Sequence, residues 1–303
     1  IRPIISIIFL KNSTHGNIKY VKNTKDEILH ITRKFDIKNL GGIEEGIIQL
    51  TNYDSSKFNY TLYACGASEK KFIYKKIKVH IFKTNFIFLN NQFSLNLLIE
   101  LYKKKNFFKF FHIHSPWPTI EMLFILFKNS VICTYHADAI RNKYLKFIYY
   151  FFYKKFINRK NVKLINISTE KYYLNSQLKK IIADPNKIFF QGMGVQDFID
   201  MDIRMDLINP EIINFYKNDK KVVLFFGRNR HYKGIETINY LLEKNENVNY
   251  LISSSNKMLN CLQKNNVLLV DKLNIDEKIF VLKNSYLHLF PSSNRAESLG
   301  IAL

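Results

Sequence analysis

Two histidines follow apolar runs directly. FFHI at 110–113 leads into His114-Ser115-Pro116-Trp117-Pro118, and SVICTY at 130–135 leads into His136-Ala137-Asp138. An imidazole held at the end of a buried strand can polarise a substrate hydroxyl. His114 and Asp138 are candidates for the same ligand. A lone histidine is more often a structural hydrogen-bonder, so it is the pair that points to chemistry. No carboxylate or histidine lies at helical ligand spacing from them, and no metal site is expected. Further on, KVVLFF at 221–226 leads into Gly227-Arg228-Asn229-Arg230-His231-Tyr232-Lys233-Gly234. A guanidinium fork, a lysine point charge and a helix N-terminus could together clamp a diphosphate. The layout is not a P-loop, and a solvated basic turn would read the same way. After YLHLF at 286–290, Glu297 stands at a predicted helix start. A carboxylate there either caps the helix or accepts from a sugar hydroxyl. Gly41-Gly42 marks a loop-to-helix junction that could approach an anion, or an ordinary tight turn.

All these residues follow strands, so the strands must position them. Strands are predicted at 27–32, 60–64, 78–82, 110–113, 130–135, 163–167 and 187–190, and again at 221–226, 248–252, 266–270 and 286–290. Helices are predicted at 42–52, 91–104, 118–128, 141–158, 168–180, 233–244 and 276–284. Short apolar strands alternating with helices make an α/β fold with parallel sheets covered on both faces. Two such series make two Rossmann-like domains, in which ligands bind beyond the carboxyl ends of the strands. Gly192-Met193-Gly194 reads as a hinge between them, and residues 1–26 as an extension that fits neither unit.

Composition agrees with two domains. The 303 residues are 47% apolar and 15% aromatic, enough for sizeable cores and against disorder. Cys65, Cys133 and Cys261 suggest neither a disulfide framework nor a zinc site, and fit a reducing compartment. No apolar run approaches the ~18 residues that span a bilayer. The chain does not begin with Met, and Leu303 falls within a predicted helix, so both ends suggest a fragment. The net charge is +21, carried by 38 Lys and only 8 Arg in a chain also rich in Asn, Ile and Phe. A compositional lean explains part of this. It does not explain the sorting, because residues 1–195 carry +20 and residues 196–303 carry +1. The predicted helix at 141–160 has Lys143, Lys146 and Lys154 on one side. Its aromatic residues, Phe152 and Phe156 among them, read as core, while the charge of the whole domain reads as contact with an anionic membrane surface.

Six segments in order resemble the retaining glycosyltransferases of family 4: LGGIEEGIIQL, FFHIHSPWP, ICTYHAD, IFFQGMGV, LFFGRNRHYKGIETI and YLHLFPSSNRAESLGIAL. They run across residues 27–303. The resemblance implies a GT-B fold of two Rossmann-like domains facing a cleft, an acceptor-side domain at 27–195 and a partial donor-binding domain at 196–303. It implies metal-independent transfer from a nucleotide-diphospho-sugar, as co-substrate rather than cofactor, with retention of configuration. On it Arg228 and Lys233 hold the donor diphosphate, the Gly41-Gly42 loop approaches the donor phosphate, His136 stands near the reacting sugar, and Glu297 contacts that sugar. Relatives often act on lipid-linked or polysaccharide acceptors, which implies a cytoplasmic protein peripheral to the inner face of the plasma membrane. The second Glu of the family's E-x7-E would fall at position 305, past Leu303, and Glu45 stands where many relatives have Arg. The alternatives are a truncated remnant that binds donor or membrane without turnover, and an epimerase of the same fold. A nucleic-acid binder is argued against by scarce arginine and dispersed lysines.

Overall fold

Strands β7 (Phe110–Ser115) and β8 (Val131–Tyr135) are buried at every position, as strands covered on both faces must be. The computed structural model describes residues 25–37, 40–54, 56–89, 91–139, 143–191, 201–218, 220–227, 233–245, 247–254 and 264–292. The chain divides into two compact units, Ile1–Val195 and Gln196–Leu303.

In the first unit the remaining strands are β1 (Asp26–Lys34), β2 (Phe58–Gly66), β3 (Lys70–Tyr74), β4 (Ile77–Lys83), β9 (Val162–Ile167) and β10 (Ile188–Phe190). They form one sheet in the order β10-β9-β8-β7-β1-β2-β4-β3, parallel except for the β3–β4 hairpin. A separate hairpin joins β5 (Phe86–Phe88) to β6 (Asn91–Phe93). The helices are α1 (Gly42–Asp54), α2 (Leu95–Lys104), α3 (Pro118–Phe124), α4 (Lys143–Ile157), α5 (Glu170–Asn175) and α6 (Leu178–Ile181). One sheet face packs Ile28, Leu62, Phe110, Ile132 and Leu164 against Ile47 and Ile48 of α1. The other packs Leu29, Phe111, Cys133 and Ile165 against α2, α3, α4 and α6.

The second unit has a parallel sheet, β13 (Val267–Val270), β12 (Asn249–Ser253), β11 (Val222–Phe226), β14 (Leu287–Leu289), in that order. Its helices are α7 (Pro210–Tyr216), α8 (Ile235–Lys244) and α9 (Ile275–Asn284), the last closed by a reciprocal capping box between Asn274 and Glu277.

Several elements differ from the sequence reading. The helix expected at 91–104 begins at Leu95, where the Ser94 side chain accepts from the Leu97 N–H; Asn91–Phe93 is strand instead. The helix expected at 168–180 is two short ones, broken at Ser176–Gln177. That at 118–128 stops at Phe124. Strands β3, β5 and β6 and helix α7 were not expected. Of the extension expected at 1–26, residues 1–24 lie outside the described residues, as does the hinge at Gly192–Gly194, while Asp26 already belongs to β1.

Both units place a reversal of strand order where chemistry is expected. In the first, the chain builds outward from β1 through β2 and β4, then returns to β7 and builds the opposite way. In the second, β12 and β13 extend from one side of β11 and β14 from the other. Loops diverge at such points, opening a crevice at the carboxyl ends of the strands.

Candidate active site

The reversal between β1 and β7 is lined with imidazoles. His30 on β1 pairs in register with His112 on β7, and His114 follows two residues on. Side chains alternate along a strand. His30, His112, His114 and Thr134 therefore continue the row of Ile28, Phe110 and Ile132, toward the carboxyl ends on the α1 face. His136 comes next, one residue beyond β8, where its backbone N–H donates to the Ser115 carbonyl at 3.0 Å.

Hydrogen bonds run through the row. His30 Nδ1 lies 3.1 Å from His114 Nε2. His114 Nδ1 lies 2.9 Å from His136 Nε2. His112 Nε2 lies 2.7 Å from Thr134 Oγ1. His30, His112 and His114 are buried, and His136 is half-buried. Burial lowers the pKa of His30 to about 3. It lowers His112 and His114 well below the usual histidine range, helped by the neighbouring imidazoles. His136 falls to about 3 through burial and then through the nearby Arg33. All four rings are thus neutral at physiological pH. With Nε2 of His136 engaged by His114, its Nδ1 has no partner among the described residues and is the nitrogen left for a ligand.

The two histidines expected to act together, His114 and His136, are therefore in contact. Asp138 is not beside them chemically. Its carboxylate accepts from the Tyr135 hydroxyl at 2.6 Å and from the Gln177 N–H at 3.3 Å, and its own N–H donates to the Tyr172 hydroxyl. Asp138 thereby ties the loop after β8 to α5 and α6. Gly41 and Gly42 do stand at the start of α1, but the Gly41 N–H already donates to Glu44 Oε2 at 2.9 Å. That helix terminus carries its own anion.

In the second unit, Lys233 and Gly234 open α8 after β11. Gly234 has φ of +74°, and a Cβ there would sit 2.4 Å from the Pro291 carbonyl oxygen. Only glycine fits without backbone movement, so the loops after β11 and β14 are held together at the reversal point. Lys233 Nζ lies 5.1 Å from the centre of the Phe290 ring, at the end of β14. Arg228 and Glu297 lie outside the described residues.

Three features were missed in the sequence. His30 sits inside EILHIT and looks like part of an apolar strand. Arg33, at the end of β1, acts electrostatically on His136 and on Glu121. Glu121 of α3 is 2% exposed and accepts from the Trp117 N–H at 2.9 Å. Burial lifts its carboxyl to about 7 against the hydrogen bonds of Ser115, Trp117 and Tyr149 and the charge of Arg33. The histidines meet across strands, a juxtaposition that helical spacing does not reveal. A recess of about 420 Å³ lined by Tyr63, Lys71, Phe72, His80 and Phe107 lies instead near the C-terminal end of α2.

No family model matches the chain. It is 22% identical over 289 residues to a D-rhamnosyltransferase of Pseudomonas aeruginosa, covering 91% of this chain and 74% of that protein. It is 23% identical over 289 residues to the O-antigen chain mannosyltransferase C of Escherichia coli, covering 91% and 75%. Among solved structures, the Anabaena protein HepE in complex with UDP and glucose superposes with a TM-score of 0.66 at 12% identity, over 91% of this chain and 78% of that one. Two Rossmann-like units, the first sheet parallel except at its β3 edge and the second wholly parallel, and this likeness give the chain the GT-B fold of glycosyltransferases.

Proposed function

We propose that this chain is a retaining glycosyltransferase that moves a sugar from a nucleoside-diphospho-sugar to a lipid-linked or polysaccharide acceptor, with no metal ion on the donor diphosphate. The observation that carries the reading is that each unit sets its singled-out residues at its own reversal of strand order: His114 and His136 in the first, Lys233 and Gly234 in the second. Likeness to two curated glycosyltransferases over nine-tenths of the chain supports it.

On this reading His136 is a neutral imidazole whose Nδ1 hydrogen-bonds the reacting sugar. It adds polarity without adding a cation beside an oxocarbenium-like transition state. Lys233, with Arg228, neutralises the charge that grows on the leaving diphosphate. Titration of the protein with UDP, GDP and ADP tests the donor side. At least one nucleoside diphosphate should bind, and Lys233→Ala should weaken it by roughly tenfold or more, the worth of a charge-assisted hydrogen bond. Equal binding by the variant would remove Lys233 from the site.

The acceptor side is read from α4. Tyr150, Tyr153, Phe156 and Ile157 are core, as expected, but Phe147, Ile148 and Phe151 are exposed at 79%, 53% and 52%. This corrects the expectation that the aromatic residues of this helix all pack inward. Lys155 Nζ lies 4.4 Å over the Phe151 ring, and Lys146 and Lys154 share the helix. Apolar rings among lysines, in a unit of net charge +20, suit an anionic bilayer surface. No described helix is long and apolar enough to cross a membrane. The protein should sediment with vesicles containing phosphatidylglycerol and not with pure phosphatidylcholine. Phe147→Glu combined with Phe151→Glu should cut that binding at least tenfold; undiminished binding would show that α4 is not the contact.

A further inference from the structure

Three buried histidines at the β1–β7 reversal have more ring nitrogens than the described fold uses. His30 is 0% exposed, His112 2% and His114 5%. His30 Nε2 and His112 Nδ1 are buried with no hydrogen-bond partner among the described residues. Leaving a polar atom so costs on the order of 1–3 kcal/mol, and here two such atoms belong to adjacent rings, 4.7 Å apart at their centres. Each of the three residues offers a ligand nitrogen, and the three nitrogens lie within 4.8 Å of one another.

We propose that His30, His112 and His114 bind a divalent transition-metal ion of zinc's class. Neutral imidazoles are the ligands such an ion prefers. Histidine ligands are normally fixed by a hydrogen bond to their second nitrogen. Two such supports are present: Thr134 Oγ1 holds His112 Nε2 at 2.7 Å, and His136 Nε2 holds His114 Nδ1 at 2.9 Å. They leave His112 Nδ1 and His114 Nε2 for the ion. His30 Nδ1, 3.1 Å from His114 Nε2, supplies the third nitrogen, so the ion takes up the unpartnered His112 Nδ1 while His30 Nε2 keeps no partner among the described residues. Two ligands on one tetrahedral zinc ion stand at about this separation, given Zn–N bonds of about 2.0–2.1 Å. No carboxylate belongs to the set, so the fourth position calls for a small anionic oxygen ligand such as hydroxide.

The ion would set a tautomer. Bound to His114 Nε2, it confines the His114 proton to Nδ1, which donates to His136 Nε2. The proton of His136 is then on Nδ1, the outward nitrogen. Without the ion the two hydrogen bonds can run in either direction, and when His114 donates from Nε2 to His30 Nδ1, His136 donates from Nε2 and its outward nitrogen is bare. The ion thus confines His136 to the form with a donor facing outward. The catalytic meaning of that choice rests on the function proposed above; the metal site does not.

Cobalt is the probe. Chelator-treated protein titrated with Co²⁺ should develop visible d–d absorption saturating at one equivalent, and Zn²⁺ should abolish it. His30→Phe with His112→Phe should abolish the band, with the fold followed by circular dichroism. Should that variant not fold, Thr134→Val removes only an outer hydrogen bond and should weaken Co²⁺ binding roughly tenfold to a hundredfold. Nitrogen-15 spectra of the histidine rings should show the His136 proton on Nδ1 in the Zn²⁺-loaded protein. Absence of a one-equivalent band, a band that survives both sets of substitutions, or a His136 proton on Nε2 in the loaded protein overturns the proposal. None of these readings requires sugar transfer, so they stand apart from failure of the transferase assignment.

Discussion

His136→Ala should lower sugar transfer by about 10²–10³-fold while leaving the protein folded. A positioned polar group in a site of this kind contributes on that scale, about 3–4 kcal/mol of transition-state stabilisation. The residue is half-buried and lies past the end of β8, so its removal leaves the sheet intact. What it removes is the hydrogen bond to His114 Nδ1. The stranded His114 nitrogen then costs about 1–3 kcal/mol of stability, visible as a modest fall in melting temperature. His136→Gln, which keeps a hydrogen-bonding side chain, should recover part of the activity. Donor binding should change far less than turnover, because in the proposed function Lys233 and not His136 is the residue on the diphosphate. The measurements are kcat, KM and donor Kd for both variants. Transfer within threefold of wild type in His136→Ala would place the reacting sugar elsewhere.

Acid should destabilise the first unit steeply. His30, His112 and His114 are buried and neutral when folded, while in the unfolded chain they titrate near 6.5. The unfolded state therefore binds more protons below pH 6.5, and stability falls as the pH drops from 6.5 toward 3. At pH 5 His30 alone costs about 2 kcal/mol, since 1.36 kcal/mol accompanies each pH unit below the unfolded value, and His112 and His114 act in the same direction. Glu121 works in the opposite direction. Its carboxyl is raised to about 7, so ionising it destabilises the fold near neutrality, and acid relieves about 2 kcal/mol of that. From pH 7 to 5 the losses from the three histidines outweigh the gain from Glu121, and the melting temperature should fall by several degrees. His30→Phe should remove about 2 kcal/mol of the loss if it packs. A melting temperature that is level between pH 7 and 5 would mean that the imidazoles are protonated in the fold.

The architecture was legible because the strands are covered on both faces. Runs such as Val131–Tyr135 are buried at every position, and their ends mark where side chains can do chemistry. The edge was less legible. Strand β3 is mostly exposed and its hairpin turns through Lys75 and Lys76 at φ of 45° and 69°, without the Asn-Gly pair that usually marks such a turn. Asn91–Phe93 looked helical because the residues after it are; the Ser94 cap was the available stop sign. Helix α7 likewise had a readable start in Asn209-Pro210.

The site was half legible. His114 and His136 were visible as strand-end residues, and each needs only its own strand to be placed. His30 depends on the pairing of β1 with β7, which joins residues more than 80 positions apart and leaves no local trace. Asp138 was misleading for the converse reason. His136, two residues before it, joins the imidazole row, but the Asp138 carboxylate is claimed by Tyr135 and Gln177. Gly41 offered an N–H to an anion in principle, and Glu44 of the same helix takes it first.

Sugar transfer is read by following an anomeric-carbon label from UDP-, GDP- and ADP-sugars in the presence of glycan and lipid-linked acceptors. For one donor the label should appear in a new glycosidic bond of the donor's own anomeric configuration, with one nucleoside diphosphate released per bond formed. A label that remains on the nucleotide with altered sugar stereochemistry, or that appears only as free sugar, would contradict the transferase assignment.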